Sequence, residues 1–180
     1  MLEPLGARWR HTLGVVRRAR LVGGALEHGE PDVLLAAAFL HDVGYAPELV
    51  RRGFHPLDGA RFVRACGHER LAGLVAYHSG AAAEAAERGL LVELGEFADE
   101  RSVVSRALTF CDLTTSREGL LVKPAARLLE VHERYGPAAP EVRALERSSE
   151  ALLDDVRVVE SMLAEADRAD ALARVRRGRG

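Results

Sequence analysis

The sequence predicts an all-α protein of about eight helices. Ala and Leu dominate the composition, which favours helix, and apolar residues recur at helical spacing. No pair of alternating apolar and polar runs is joined by a hairpin turn. The length of 180 residues fits one domain, and an apolar content of 48% is enough to build a core. We therefore expect a single helical domain over residues 1–180.

The first four predicted helices are delimited by glycine and proline. The first spans residues 9–27 and stops before Gly29, because glycine favours helix C-termini. The second begins at Pro31, which fits the first turn of a helix, and runs to Asp42. Its middle is apolar on all sides, which predicts a buried helix. The third and fourth cover residues 56–66 and Glu69–Tyr77.

The second half of the chain predicts four more helices. A short Ala-rich helix covers Ala81–Arg88, and the next spans residues 102–114 with Ser102 as its N-cap. Pro124–Tyr135 follows, and Gly136 closes it. Residues 140–175 are typical of one long helix, whose core-facing stripe would consist of Leu145, Leu152, Val156, Val159 and Leu163. The C-terminal helices thus occupy residues 120–175.

Charge and composition exclude several classes of function. The formal charge is -2, so the chain lacks the dense basic stripe that binds long nucleic acids. No apolar run reaches about 18 residues, and the first ten residues lack the apolar core of a secretory signal. Two cysteines, Cys66 and Cys111, are too few for a disulfide scaffold. We expect a cytoplasmic protein with no membrane association.

The dipeptide His41-Asp42 is the strongest chemical feature. It follows the most hydrophobic predicted helix, where a histidine and a charged carboxylate are costly to bury unless something pairs with them. A divalent metal would provide that partner, and imidazole with carboxylate suits several ions. The remaining ligands must come from elsewhere in the chain. The candidates, each on or beside a predicted helix, are His11, His55, His78 and Asp112.

The order His11, His41-Asp42, Asp112 resembles the HD superfamily of metal-dependent phosphohydrolases, whose signature is H…HD…D on an all-helical fold. The apolar lead-in Phe39-Leu40 and the following Val43-Gly44 are similar to that family's central motif. The resemblance covers about residues 8–117, and it implies that these four side chains bind one divalent metal, with Fe, Mn, Co, Ni, Zn and Mg as candidates.

Two further histidines are similar to those of the dinuclear HD branches. In these branches the aspartate of the HD pair bridges two metals, so the resemblance implies that Asp42 bridges and that His55 and His78 hold a second ion. The chain departs from the family at Tyr45, where many relatives have lysine. Ser79 stands where a second histidine would indicate the cyclic-dinucleotide branch.

The resemblance implies hydrolysis of a small phosphate ester or anhydride, with a nucleotide as the expected substrate. Asp42 and Arg117 are the expected catalytic residues, since the arginine follows Asp112 by five positions and its fork suits phosphate oxygens. Weaker candidates for the same role are Arg8, Arg51 and Lys123. Two alternatives remain open: a regulatory module that binds metal without turnover, and a di-iron oxygenase.

Each candidate side chain also has a purely structural interpretation. His11 lies among arginines and could belong to a solvated helix face, and Asp112 could be an ordinary helix-end charge. His55 could be an extended residue before proline. His78 could end a helix by binding its free carbonyls.

Overall fold

A computed structural model describes residues 6–27 and 29–177. Over these ranges the chain is helical apart from turns, short irregular segments and the bridge pair Thr115–Leu121. Eight helices have eight residues or more: α1 (Ala7–Gly23), α2 (Glu30–Leu40), α3 (His55–Ala65), α4 (Glu69–Tyr77), α5 (Ala81–Arg88), α7 (Val103–Leu113), α8 (Pro124–Tyr135) and α9 (Pro140–Arg177). A four-residue helix, α6 (Leu91–Leu94), and 3₁₀ turns at Val43–Tyr45 and His78–Gly80 complete the described elements. The prediction of an all-α fold is confirmed.

The buried apolar side chains form two clusters. The first joins α1, α2, α7 and α9, with Val15, Leu34 and Leu108 fully buried in it. The second joins α3, α4 and α5 around Phe54 and Leu57. The segment after α2 passes from one cluster to the other, because Ala38 belongs to the first and Val43 to the second. His41 and Asp42 therefore lie where the two clusters meet.

The long helix α9 runs across α5, α7 and α8. Its predicted stripe faces the core as expected, with Leu152, Val156 and Val159 buried and Leu145 and Leu163 partly buried. No helix within the described ranges is both long enough and apolar enough to cross a membrane.

The C-terminal ends of α1 and α2 differ from the prediction. α1 ends at Gly23, four residues early, because two successive glycines weaken the helix and Gly23 lies against Pro31, where a Cβ would be 3.2 Å from the proline Cβ. The predicted end at residue 27 is followed by His28, which lies outside the described residues. α2 ends at Leu40, and Asp42 adopts φ -99° and ψ 6° at the start of a 3₁₀ turn. The short helix α6 was not predicted.

Candidate metal centre

Five helix ends converge on one point of the molecule. The side chains that meet there are His11 of α1, His41 and Asp42 after α2, His55 at the start of α3, His78 after α4 and Asp112 in the last turn of α7. All are buried except His55, whose side chain is 17% exposed. His11 is only 2% exposed, so the interpretation of it as a solvated surface residue is wrong.

The two oxygens of Asp42 face different histidines. Oδ2 lies 3.5 Å from Nε2 of His41 and 4.0 Å from Nε2 of His11. Oδ1 lies 3.4 Å from Nε2 of His55, which in turn is 3.2 Å from Nε2 of His78. Two groups of possible ligands, one of His11, His41 and Asp42 and one of Asp42, His55 and His78, thus share a single carboxylate.

Backbone carbonyls fix three of the four rings. Nδ1 of His41 lies 2.8 Å from the Ala38 carbonyl, and Nδ1 of His78 lies 2.7 Å from the Val75 carbonyl. Nδ1 of His11 lies 3.0 Å from the carbonyl of Ser116. Since a carbonyl only accepts, each Nδ1 is the donor, and in the neutral ring Nε2 carries a lone pair. These lone pairs point inward, as metal-binding imidazoles require.

Asp112 lies beside His11, outside the two groups. Its Oδ2 accepts a hydrogen bond from the hydroxyl of Ser79 at 2.6 Å, while its Oδ1 lies 3.0 Å from Nε2 of His11. Asp112 Oδ1 and His41 Nε2 are buried without a hydrogen-bond partner among the described residues. Buried polar atoms without partners are rare and costly, so a cation between them would remove the penalty.

Ser79 is held in a strained conformation. It has φ 49° and ψ 40°, which is uncommon for a residue other than glycine, and such strain concentrates at functional sites. The strained turn carries His78 and the hydroxyl that contacts Asp112. Sequence reasoning missed this residue, although its place directly after a candidate histidine was a signal.

The start of α3 is brought to Asp42 by close backbone packing. A Cβ on Gly44 would lie 2.0 Å from the carbonyl oxygen of His55, so only glycine allows this approach. The buried carboxylate of Asp58 accepts backbone N–H bonds from residues 51–53, which fixes the preceding loop. The ring of Tyr45 stacks on His55 with centroids 4.0 Å apart.

Neighbouring charges decide the protonation of the cluster. Burial opposes ionisation of both carboxyls. The charges of His41 and Arg8 outweigh burial at Asp42 and hold its pKa well below the usual range. His11 has the same effect on the pKa of Asp112. Burial lowers the pKa of His41 to about 4 and that of His55 well below its ordinary value. At neutral pH the carboxylates are ionised and these two rings neutral, the forms that bind a divalent metal.

His11 departs from this pattern. Burial would lower its pKa, but the Asp112 carboxylate that faces Nε2 outweighs burial and raises it. A proton and a metal ion thus compete for the position between Nε2 of His11 and the Asp112 carboxylate.

Arginines surround the cluster. Arg8 donates to Asp42 Oδ2 at 2.8 Å and lies over the ring of Tyr45, 3.8 Å from its centroid. Arg127 of α8, which sequence reasoning missed, is buried with its guanidinium 3.6 Å from Asp112.

Arg117 is exposed in the turn after α7, at the rim of an adjoining cavity. Arg51 and Lys123 are exposed and line neither this cavity nor the one over the cluster.

A family model described as HD domain matches residues 8–117, more than half of the chain. The chain belongs to the HD domain family. Most members of this family are metal-dependent hydrolases. No curated protein and no solved structure gives a significant match.

Membership in the HD family confirms the resemblance derived from the sequence. The buried His and Asp groups of this HD domain have a geometry that can hold a divalent metal. The helices α8 and α9 follow the matched residues, and they cover the cluster with a layer that the family match does not describe.

Proposed function

We propose that this HD protein is a metal-dependent phosphohydrolase that acts on a small phosphate ester or anhydride of the nucleotide class. The observation that carries the proposal is the buried cluster. In it, inward-facing imidazole nitrogens and two ionised carboxylates meet beside the buried Arg127 and the partly buried Arg8.

The first ion would be held by His11, His41, Asp42 and Asp112. Two ligand atoms at about 2.1 Å from one ion, at an angle between octahedral and tetrahedral, are about 3.0–3.4 Å apart. The separation of 3.0 Å between His11 and Asp112 lies in this range, while those of 3.5 Å and 4.0 Å from Asp42 Oδ2 to His41 and His11 are wider than it. The two buried atoms without hydrogen-bond partners, one on His41 and one on Asp112, support the same ion.

A second ion would be held by His55 and His78, with Asp42 as the bridge. The support is that Oδ1 of Asp42 faces His55 while Oδ2 faces the first group. The two Nε2 atoms of His55 and His78 lie 3.2 Å apart, again within the range that a shared ion requires.

Bound divalent metal supplies Lewis acidity toward a phosphoryl group and lowers the pKa of water. The chain's own residues then position and neutralise the substrate. Arg8 and Arg127 lie beside the two carboxylates, where guanidinium groups can bind phosphoryl oxygens. Arg117, at the rim, remains a candidate for the same task.

The size of the site favours a small substrate. The cavity over the cluster has a volume of about 120 Å³ and is covered by Leu128 and Val131 of α8 and Leu145 of α9. A continuous nucleic-acid strand needs an open groove lined with many cations. A small phosphate compound can enter such a covered site.

The test combines metal analysis with hydrolysis of bis-p-nitrophenyl phosphate. The parent protein should bind divalent metal in stoichiometric amount and hydrolyse the ester only when loaded. Asp42→Asn should lose both properties, whereas His68→Ala, at an exposed histidine outside the cluster, should keep both. Stoichiometric metal in Asp42→Asn would contradict the assignment of the site.

Two other results would replace the proposed reaction. Bound metal without hydrolysis of any phosphate compound would indicate a regulatory module. Bound iron with oxygen-dependent turnover would indicate an oxygenase.

A further inference from the structure

A second cavity of about 380 Å³ adjoins the first on the side of α1 and α8. The two cavities share five lining residues, which are Arg8, His11, Tyr45, Arg127 and Arg134. Arg117 and Ala7 complete the described lining of the second one. Among the residues that the structure describes, this lining contains four arginines and no carboxylate. We call it the arginine cavity.

Carboxylates just outside this lining hold three of the four guanidinium groups. Arg8 donates to Asp42, and Arg127 lies 3.6 Å from Asp112. Glu130 links two of the arginines. Its Oε2 accepts a hydrogen bond from Arg127 at 3.1 Å, and its Oε1 accepts one from Arg134 at 3.0 Å. Without metal, the charges of these three arginines and of the three carboxylates therefore largely cancel.

Metal binding would disturb this balance. A divalent ion at the cluster would engage Asp42 and Asp112, the carboxylates that now face Arg8 and Arg127. Glu130 would remain as the carboxylate that contacts Arg127 and Arg134. Partly buried guanidinium groups that are no longer neutralised by nearby carboxylates favour the binding of an anion. Their paired N–H donors match the oxygens of a phosphate group.

We propose that the arginine cavity binds a second phosphoryl group of the substrate, next to the one that reacts at the metal. This inference rests on the proposed phosphohydrolase function and narrows it to substrates with at least two linked phosphoryl groups, which are phosphoanhydrides. Three arginines, Arg8, Arg127 and Arg134, line both cavities, and this shared lining supports the inference. Arg127 and Arg134 belong to α8, beyond the residues that the HD family model matches.

The probe is methylenediphosphonate, a diphosphate analogue that water cannot cleave, titrated calorimetrically into metal-loaded protein. Arg134→Gln should weaken its binding about tenfold to hundredfold, the range for loss of a charge-assisted contact. Inorganic phosphate, with a single phosphoryl group, should bind the variant and the parent within about twofold, because its site is the metal. The control is Arg157→Gln, an exposed arginine of α9 paired only with Asp154 among the described residues.

Glu130→Gln gives a prediction of the opposite sign. This substitution preserves the shape of the side chain but removes the carboxylate that now contacts Arg127 and Arg134, so diphosphonate should bind more tightly. A purely structural role for these arginines predicts no gain. Arg127→Lys keeps the charge of the buried residue and should bind diphosphonate less tightly, because lysine lacks the bidentate fork.

Metal content is measured for every variant after titration, so loss of metal to the diphosphonate is separated from loss of the arginine contact. Unchanged diphosphonate binding in Arg134→Gln at equal metal content would overturn the inference. Failure of the proposed function would be seen instead as metal-loaded parent that hydrolyses neither a diphosphate nor bis-p-nitrophenyl phosphate. The diphosphonate titrations decide the inference in that case too, because they need no turnover.

Discussion

The two halves of the candidate centre share Asp42 but are built differently. In the first half, the rings of His11 and His41 are buried and each Nδ1 is fixed by a backbone carbonyl. In the second half, His78 is fixed in the same way, but His55 is 17% exposed and its ring is held by stacking on Tyr45. No carbonyl contact of the His55 Nδ1 is present within the described residues.

This difference in how the rings are held predicts a difference in metal affinity between the two halves. Rings held in place before binding lose less freedom when they coordinate an ion, and burial protects the ion from water. The first half should therefore bind metal tightly and the second more weakly. Substitutions at six positions test this order, and their effects decrease from the shared residue to the rim.

Asp42→Asn should have the largest effect, because both halves lose their common carboxylate. Metal affinity should fall by more than the roughly 10–100-fold that loss of an outer hydrogen-bond partner costs. Elemental analysis after dialysis should find neither ion, and hydrolysis should fall to the rate of metal-free protein. Retention of one ion would show that the halves do not share Asp42.

His41→Ala should remove the tightly held ion and abolish hydrolysis. The variant also leaves the Ala38 carbonyl without its donor, which costs about 1–3 kcal/mol of folding free energy. Metal titration is therefore performed below the melting transition of the variant, located by circular dichroism. Parental affinity for the first equivalent of metal would contradict the assignment.

His55→Ala should remove only the weaker ion. The first equivalent should bind as in the parent, while the second is lost and turnover falls. His78→Ala should behave in the same way, since its Nε2 lies 3.2 Å from that of His55. If both variants keep two ions and full activity, the centre is mononuclear and these histidines are structural.

Ser79→Ala should lower the affinity for the first ion by about tenfold, since its hydroxyl orients Asp112. Ser79→Gly removes the same hydroxyl but also relieves the left-handed backbone, so it should melt higher than Ser79→Ala by the equivalent of about 1 kcal/mol. Equal metal affinity in Ser79→Ala and the parent would show that the hydroxyl serves the fold alone.

Arg117→Ala should have the smallest effect. Its side chain is exposed at the rim, so metal content should stay parental while the Michaelis constant rises by a few-fold at most, about 1 kcal/mol or less. Steady-state kinetics at saturating metal measures this. Parental kinetics would remove the role expected for Arg117 and leave phosphate binding to the buried arginines.

Local sequence signals predicted most of the helices. Pro124 and Gly136 mark the two ends of α8, because proline fits a first helical turn and glycine ends a helix. The end of α1 was predicted too late, since the reason for it lies in contact with Pro31 rather than in nearby residues alone. A packing contact of this kind, across the turn between two helices, is not legible in the sequence alone.

The candidate site was predictable to the extent that a family signature marks it. The signature supplied His11, His41, Asp42 and Asp112, and the structure brings all four together with His55 and His78. Arg127 and Arg134 were missed, although they share a helix face with Leu128, Val131 and Tyr135 at helical spacing. Two arginines within an otherwise apolar stripe were the available signal.

Anomalous X-ray diffraction from crystals grown with Mn²⁺ tests the central claim most directly, because it locates ions rather than counting them. The account predicts a strong peak between Nε2 of His41 and Oδ1 of Asp112, and a weaker one between His55 and His78 that disappears first at limiting metal. Manganese peaks only at surface carboxylates, with none among the buried histidines, would contradict it.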